Sequence, residues 1–517
     1  MRKILKGFAV CLPVVGAASG YYMLKPLECR EPESHPYQLL PKASYSDHPN
    51  KHYLTKVPES VGVVGGGISG AIVAKTLSQQ GYKVEVIERN PGAGGIWYQN
   101  YDGSGLQFPY PHYNLPDHEF PEDTELIPKR ESVKQFIEDY MTKFNLWPMF
   151  KFSTEVSKIH QRKDGTWEVS TKSGQKKQYD FLVVTNGPYN KPYIPEIEGL
   201  SSFKGKFFHS SEFINIKEHC EGKKVVVVGS GKSAMDVVTQ AYKNGAECTL
   251  VMRKAHWLVP PGKTFLGLPL FYFNSNRFAG LLMHPYYNTS GAIFQYMQPL
   301  VKGYWKVIEW VLNQDMPQEM IPSSEYHREK LYRGGARNPE VPELVKQGNM
   351  KLVRGQTSKV KPEGLEVNGE TLEADVIVFA TGFSRDFLGL SAEEDGIWMY
   401  RNTIIPGKKN FAIVGLINTY CNPLYTNIQA LWLSEVLRGR VRLPSEGYMQ
   451  DDVFDRKKYT RQIIDESTAS FSWFPYPMID QFLSDIGVET NRKPSLFKFW
   501  FEPIKPSDYT SVVTHRV

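Results

Sequence analysis

The stretch Ser60-Val-Gly-Val-Val-Gly65-Gly66-Gly67-Ile68-Ser69-Gly70 runs from an apolar segment straight into a glycine-rich loop, and it decides the fold. The apolar segment predicts a short buried strand, and Ala71 to Gln80 continues as an amphipathic helix. The first glycine of such a loop makes the tight turn, the second lets the backbone approach a pyrophosphate, and the third allows close helix packing. The pattern therefore predicts a dinucleotide site.

The strand that follows this helix sharpens the prediction. Lys83 to Ile87 ends at Glu88, whose carboxylate can accept hydrogen bonds from ribose hydroxyls. An acid at this point favours FAD or NAD over a nucleotide with a 2′-phosphate. Gly94-Gly95-Ile96-Trp97 comes next, and its large ring either covers the cofactor or packs in the core.

A second loop repeats the logic with the opposite charge. Gly229-Ser230-Gly231-Lys232-Ser233-Ala234 follows the apolar segment Lys224 to Val228, and the next strand ends in Arg253-Lys254. Two cations where the ribose acid would stand suit a 2′-phosphate, so this half is expected to bind NADP(H).

The fold class predicted from these units is α/β, with two Rossmann-like dinucleotide-binding domains, one for FAD and one for NADP. Asp180 to Gly187 resembles Asp375 to Gly382, each a buried strand that reaches a glycine. Because Lys359 to Val378 is expected to rebuild strands of the first half, the FAD domain is predicted to be discontinuous. The predicted segments are an apolar anchor or targeting segment 1–24, a linker 25–58, FAD domain 59–217, NADP domain 218–340 with an apolar insertion 257–312, FAD domain 341–445, and a C-terminal segment 446–517.

Composition and the N-terminus limit the classes of function. The net charge of +6 is spread over 61 basic and 55 acidic residues, which disfavours nucleic-acid binding. The 5 cysteines show no metal spacing, so no metal site is expected. Basic residues precede an apolar stretch from Gly7 to Leu24, which favours a membrane anchor, with a cleaved signal or an organelle presequence as alternatives. The predicted location is the endoplasmic reticulum membrane, with mitochondria as the alternative. The exposed face of the insertion is expected to touch a membrane or to line a substrate channel. Ordinary core packing of the insertion is the alternative.

Together with the two loops, Phe203-Lys-Gly205-Lys-Phe-Phe-His209-Ser-Ser-Glu-Phe213 and Phe379-Ala-Thr381-Gly382-Phe383 resemble the motifs of the flavin-containing monooxygenases. The resemblance covers roughly residues 58 to 510. It implies an enzyme in which NADPH reduces FAD, O₂ forms a C4a-hydroperoxyflavin, and oxygen passes to a small-molecule amine or sulfide. The cofactor-binding residues implied by the loops and motifs are Gly65, Gly67, Ile68, Ser69, Gly70, Glu88, Gly95, Ile96, Trp97, Gln107, His209, Gly229, Gly231, Ser233, Arg253, Lys254, Thr381, Gly382 and Gln429. Within this set, His209 is assigned a structural role at the junction of the two nucleotide domains, because a single histidine between aromatic residues is more often packed than a proton donor.

The chain departs from the family where many members carry an asparagine whose amide contacts flavin and nicotinamide. Counting back from Leu115-Pro116-Asp117 places Gln107 there, and Asn114 is the alternative if the loop is threaded differently. These two amides are the candidate catalytic residues. Phe213, the last aromatic residue of the fingerprint, fits the nitrogen- and sulfur-oxygenating type, whereas Baeyer–Villiger relatives tend to carry Trp.

Three other functions remain open at this stage. A Baeyer–Villiger monooxygenase or an NADPH oxidase-type flavoprotein would share both nucleotide sites. A membrane-anchored flavoprotein subunit with reduced activity is the non-enzymatic alternative, with Gln107 as the mark of lost activity. Disulfide reductases of the same plan need a redox CxxxxC pair near the first loop, and the sequence has none there.

Overall fold

The computed structural model describes residues 44–257, 259–260, 263–270, 273, 275–283, 292–314, 316–326, 329, 338–384, 388–390, 393, 396–463, 470 and 474–514. The predicted anchor 1–24 and residues 25–43 lie outside these ranges, so the membrane and location predictions stay predictions. Within the ranges, no helix combines the length and the apolar character needed to cross a bilayer.

The regular elements follow one another in a mixed α/β order. The strands of the described ranges are β1 (Ser60–Val64), β2 (Lys83–Ile87), β3 (Phe150–Lys151), β4 (Val156–Gln161), β5 (Trp167–Thr171), β6 (Lys176–Tyr179), β7 (Phe181–Val184), β8 (Lys206–His209), β9 (Lys224–Val228), β10 (Glu247–Met252), β11 (Thr264–Phe265), β12 (Leu268–Pro269), β13 (Lys351–Arg354), β14 (Thr357–Lys361), β15 (Gly364–Val367), β16 (Glu370–Glu373), β17 (Val376–Phe379) and β18 (Phe411–Ile413). The α-helices there are α1 (Ile68–Gln79), α2 (Arg130–Lys143), α3 (Ile216–Cys220), α4 (Lys232–Lys243), α5 (Arg277–Met283), α6 (Ala292–Asn313), α7 (Glu340–Lys346), α8 (Asn422–Leu437), α9 (Glu446–Ile463), α10 (Pro475–Asp485), α11 (Leu496–Phe501) and α12 (Thr510–Thr514).

Two parallel sheets of five strands organise the molecule, and each has a glycine-loop strand near its centre. The first sheet has the order β18-β7-β1-β2-β3 and the second the order β13-β10-β9-β17-β8. β1 and β9 are apolar because both of their faces are covered, as in other parallel sheets. Helix α1 follows β1 and helix α4 follows β9, which confirms the predicted α/β class with two Rossmann-like units.

The internal repeat predicted from Asp180–Gly187 and Asp375–Gly382 has a structural basis. β7 pairs with β1, and β17 pairs with β9 in the equivalent place. Asp180 Oδ2 accepts the amide of Ser60 at 3.0 Å, and Asp375 Oδ2 accepts the amide of Lys224 at 2.8 Å. Each half also carries a three-stranded antiparallel meander, β4-β5-β6 or β14-β15-β16.

The predicted domain limits disagree with the observed strand pairing. β8 lies in the segment 59–217 assigned to the first domain, and β13 and β17 lie in the segment 341–445, yet all three strands pair in the second sheet. The first domain is discontinuous, but β18 and α8 are the elements that return to it. A strand such as β17, buried on both faces, carries no sequence mark of which sheet it joins.

Residues 44–58 do not form the predicted linker, because they pack against the first domain. His48 Nε2 bonds the carbonyl of Leu437 at 3.0 Å, and Asn50 Nδ2 donates to the carbonyl of Val436 at 3.0 Å. Asn50 and Leu54 are fully buried. The polar residues of this segment satisfy carbonyls at the C-terminal end of α8, where a helix leaves its last carbonyls unpaired. We call residues 48–54 the N-terminal strap.

The described part of the insertion 257–312 has a core of its own. Trp257, Trp305 and Tyr326 are buried together, and the Trp305 indole donates to the carbonyl of Leu282 at 3.0 Å. The hairpin β11-β12 leaves Leu266 66% and Leu268 51% exposed. The insertion therefore includes both packed core and an exposed apolar tip.

Candidate active site

Both parallel sheets contribute their carboxyl ends to one large cleft, with a volume of about 1640 Å³. Ligands of open α/β sheets bind beyond those ends. The predicted residues that line the cleft are Gly65, Gly67, Ile68, Ser69, Glu88, Gly95, Ile96, Trp97, Gln107, Gly229, Gly231, Ser233, Arg253, Lys254, Thr381 and Gly382. Gly70, Asn114, His209 and Gln429 do not line it.

The first glycine loop is shaped by contacts that exclude a side chain at two of its positions. Gly65 has φ +112°, and a Cβ there would lie 2.9 Å from the backbone of Thr185. A Cβ on Gly70 would lie 2.0 Å from the carbonyl oxygen of Gly65, so this glycine seats α1 against the loop rather than touching a ligand. At Gly67 the nearest atom, Gly95 Cα, would be 3.5 Å away, which leaves room for a close-lying phosphate.

Glu88 lies at the end of β2, beside this loop, and is 4% exposed. Its Oε2 accepts the amide of Gly66 at 2.5 Å, and its Oε1 accepts the amide of Asn90 at 2.8 Å. These bonds fix a carboxylate at the cleft wall where a ribose diol of FAD would lie. The turn Gly95–Trp97 follows, and Trp97 both lines the cleft and packs against the core of the first domain.

The second loop has the same construction, but basic residues take the place of the acid at the end of the next strand. Gly229 has φ +145°, and a Cβ there would lie 2.4 Å from the carbonyl oxygen of Ala380. A Cβ on Gly231 would meet nothing within 4 Å in the part of the chain that the structure describes. Arg253 and Lys254 follow β10 with exposed side chains on the cleft. An open glycine, a helix N-terminus and two cations fit a phosphorylated dinucleotide such as NADPH.

A histidine beside these cations was not predicted. His256 lines the cleft, and its Nδ1 lies 2.8 Å from Oε1 of Glu329, which is buried. Burial alone would raise the pKa of Glu329, but bonds from His256, Ser324 and the Trp257 amide hold it below its ordinary value. The dyad joins residues far apart in the chain, so no local sequence signal could have revealed it.

Of the two candidate amides, Gln107 alone faces the cleft. Its amide head makes no hydrogen bond to the residues that the structure describes, so it is free to meet a ligand. Asn114 is 9% exposed, and its Oδ1 accepts the amide of Phe120 at 3.0 Å. Asn114 therefore shapes the loop after Gln107 without lining the cleft, and the catalytic role of either amide stays a prediction.

His209 and Gln429 hold residues that line the cleft without reaching it themselves. His209 Nε2 lies 2.8 Å from the carbonyl oxygen of Gly382, and its Nδ1 accepts the amide of Ser211 at 3.2 Å. Burial lowers the pKa of His209, so the ring is neutral and Nε2 donates. Gln429 Oε1 accepts the amide of Gly415 at 2.9 Å. A Cβ on Gly415 would lie 2.1 Å from Ser69 Oγ and would clash with it, so the backbone of Gly415 lies directly against the first glycine loop.

The last aromatic residue of the fingerprint lies away from the cleft. Phe213 is completely buried and stacks against His219 at 6.0 Å between ring centroids. It packs in the core of the second domain, so it cannot touch a substrate. The assignment drawn from its identity, nitrogen and sulfur oxygenation rather than Baeyer–Villiger chemistry, therefore stays a prediction.

An aromatic wall that the sequence did not reveal closes part of the cleft. Phe108 lies 5.8 Å from Tyr420, and Tyr420 lies 6.2 Å from Phe474, measured between ring centroids. The Tyr420 hydroxyl donates to the carbonyl of Ser275 at 3.1 Å, and Tyr420 lines the cleft. These rings come from three distant segments and suit an organic substrate.

The profile of one protein family, described as flavin-binding monooxygenase-like, matches residues 58–507. The chain is 26% identical to a probable flavin-containing monooxygenase 1 of Arabidopsis thaliana, over 87% of this chain and 96% of that protein. It is 27% identical to dimethylaniline monooxygenase 2 (N-oxide-forming) of Oryctolagus cuniculus, over 86% of this chain and 85% of that protein.

Solved structures of other oxygenases share the fold. OTEMO in complex with FAD and NADP superposes with a TM-score of 0.61 at 20% identity, covering 79% of this chain and 89% of that one. Cyclohexanone monooxygenase bound to ε-caprolactone gives a TM-score of 0.64 at 19% identity, covering 83% and 98%. At these identities the likeness concerns the fold.

Proposed function

The chain belongs to the flavin-binding monooxygenase-like family, and we propose that it uses FAD, NADPH and O₂ to oxygenate a soft nucleophile, an amine nitrogen or a sulfide sulfur. The reaction consumes one substrate, one O₂, one NADPH and one proton. It yields the N-oxide or sulfoxide, NADP⁺ and water. The proposal rests on one observation. Two glycine loops open into the same cleft, one beside the acidic residue Glu88 and the other beside the basic residues Arg253 and Lys254.

The two loops divide the nucleotides between them. At the first, Glu88 would hold the ribose of FAD, and the N-terminal end of α1 would face its pyrophosphate. At the second, Arg253 and Lys254 would pair with the 2′-phosphate of NADPH. FAD bound in this cleft supplies, after reduction by NADPH, the electron pair that activates O₂.

The rest of the site positions the substrate and keeps out water. Gln107 offers an amide with both a donor and an acceptor on the wall of the cleft into which both glycine loops open. Phe108, Tyr420 and Phe474 present apolar surface that excludes water from the reacting atoms. No residue of the aromatic wall carries a charge, which suits the uncharged form of an amine or a sulfide.

Baeyer–Villiger oxygenation of a ketone is the second candidate. It is favoured by the fold shared with cyclohexanone monooxygenase. The nitrogen- and sulfur-oxygenating assignment is favoured by the higher identity to the N-oxide-forming relative. Both reactions use the same pair of nucleotide sites, so products are needed to separate them.

Product analysis tests the proposal directly. Purified protein is first checked for a flavin spectrum, then supplied with NADPH and an aryl sulfide, a tertiary amine or a cyclic ketone. We expect a sulfoxide or an N-oxide by mass spectrometry, with NADH in place of NADPH as the control. A lactone as sole product would favour the second candidate. Hydrogen peroxide without an organic product would indicate an oxidase, and protein without flavin would refute both.

A further inference from the structure

The loop Asn100–Gly105, which we call the inter-domain loop, leads from the turn Gly95–Trp97 to Gln107. On the side of the first domain it is held by α2. Arg130 Nη1 donates to the carbonyl of Asn100 at 2.8 Å, and the Arg130 amide donates to the carbonyl of Ser104 at 2.9 Å. These bonds tie the loop to the FAD side of the cleft.

The same loop is also bonded to helix α4 of the second domain. The hydroxyl of Tyr101 donates to Oδ2 of Asp236 at 2.9 Å, and Tyr101 is 5% exposed. Gly103 has φ +80°, and a Cβ there would lie 2.7 Å from the side-chain amide of Gln240. The loop therefore lies directly on α4 and crosses between the domains.

Asp236 connects this contact to the second nucleotide site. Its Oδ2 also pairs with the ammonium of Lys232, one turn earlier on α4, and both side chains are mostly buried. Lys232 and Ser233 line the cleft at the N-terminal end of α4, where the phosphates of a dinucleotide would lie. Burial, with the charge of Asp236, raises the pKa of Tyr101 well above its ordinary value, so its hydroxyl remains a donor.

We propose that Tyr101 and Asp236 are positioning residues that couple occupancy of the NADPH site to the placement of Gln107. A phosphate at the N-terminus of α4 orders Lys232, and with it Asp236. Through its hydrogen bond to Asp236, Tyr101 then fixes the inter-domain loop, and the backbone of this loop positions Gln107, six residues further along the chain. The proposal rests on the proposed function for the identity of the dinucleotide, but the coupling can be measured without turnover.

Hydrogen exchange on the FAD-loaded full chain tests the coupling. In the wild type, saturating NADP⁺ should slow amide exchange across residues 100–107. In Tyr101→Phe, this protection should be lost while FAD content stays the same. The Kd for NADP⁺ should rise roughly tenfold, the effect expected when a hydrogen bond to a charged group is removed. The fraction of NADPH consumed that appears as hydrogen peroxide should rise as well.

Two further variants keep the test decisive. Asp236→Asn removes the ion pair with Lys232 while keeping the side-chain shape, and it should give the same loss of protection. Tyr140→Phe, on α2, is the matched control, since the Tyr140 hydroxyl is buried and has no hydrogen-bond partner among the residues that the structure describes. Wild-type protection by NADP⁺ in both Tyr101→Phe and Asp236→Asn would overturn the proposal, as would a wild type that gives no response. Retained coupling with no oxygenated product would refute the proposed function alone.

Discussion

Alanine at two glycines of the first loop should separate folding from FAD binding. In Gly70→Ala the new methyl group would lie 2.0 Å from the carbonyl oxygen of Gly65, which also accepts the Thr185 hydroxyl at 2.8 Å. An ordinary contact needs about 3.4 Å, so α1 and the loop must move apart by roughly 1.4 Å, an overpacking that costs about 1–3 kcal/mol. In Gly67→Ala the methyl group would lie 3.5 Å from Gly95 Cα, an ordinary contact.

The expected results differ accordingly. The apo form of Gly70→Ala should melt several degrees below the wild type and bind FAD at least about tenfold more weakly. The apo form of Gly67→Ala should melt like the wild type, yet lose FAD affinity by a larger factor, because its methyl group occupies the path of the pyrophosphate.

The assay is thermal melting of apo protein together with FAD titration followed by flavin fluorescence quenching. Gly447→Ala, in helix α9, serves as control, because its Cβ would meet none of the described residues within 4 Å. Normal FAD affinity in Gly67→Ala would refute the assignment of this loop to the pyrophosphate. Wild-type melting of Gly70→Ala would show that the contact between α1 and Gly65 is looser than the structure has it.

Three other substitutions test separate parts of the site. Arg253→Ala should raise KM for NADPH by roughly tenfold to a hundredfold, the value of a charge-assisted bond, and leave KM for NADH nearly unchanged in steady-state assays. Gln429→Leu leaves the amide of Gly415 without its partner inside the protein, so FAD should dissociate faster during dialysis, whereas an unchanged off-rate would contradict this support role. Burial alone would raise the pKa of Asp180, but Lys56 and the amides of Ser60 and Glu59 outweigh it and lower that pKa. Asp180→Asn should therefore cost about 1–2 kcal/mol at pH 7 in urea unfolding, and this difference should fade below about pH 4, as the wild-type carboxylate is protonated.

The two glycine loops were predictable from sequence because everything they need is local. Strand, loop, helix and the charge after the next strand all lie within a few dozen residues, and the structure places Glu88 and Arg253 as expected at the cleft. The domain limits were harder to predict from sequence. β7 and β17 are both short, apolar and buried strands, yet they join different sheets. Strand partners are chosen by the whole fold rather than by the strand.

Motif residues were found more easily than their roles. Gln429 is expected to bind the cofactor, but it acts on the backbone of Gly415, which faces the cleft in its place. The structural role expected for His209 agrees with its bond to the carbonyl of Gly382, although the sequence does not indicate that partner. A sequence pattern records that a residue is needed without recording which neighbour needs it. The His256–Glu329 dyad, by contrast, depends on a contact between distant segments.

The N-terminal strap has a practical consequence for handling the protein. Asn422 and Pro423, at the start of α8, line the cleft, whereas the strap is bonded to the carbonyls at the other end of this 16-residue helix. A helix of that length measures about 24 Å. A fusion partner, an affinity tag or a tether to a solid support placed upstream of residue 44 therefore joins the described part of the chain beside the strap, a full helix length from the residues of α8 that line the cleft. A force applied through that attachment would act on the hydrogen bonds between the strap and α8 before it reached any residue of the cleft.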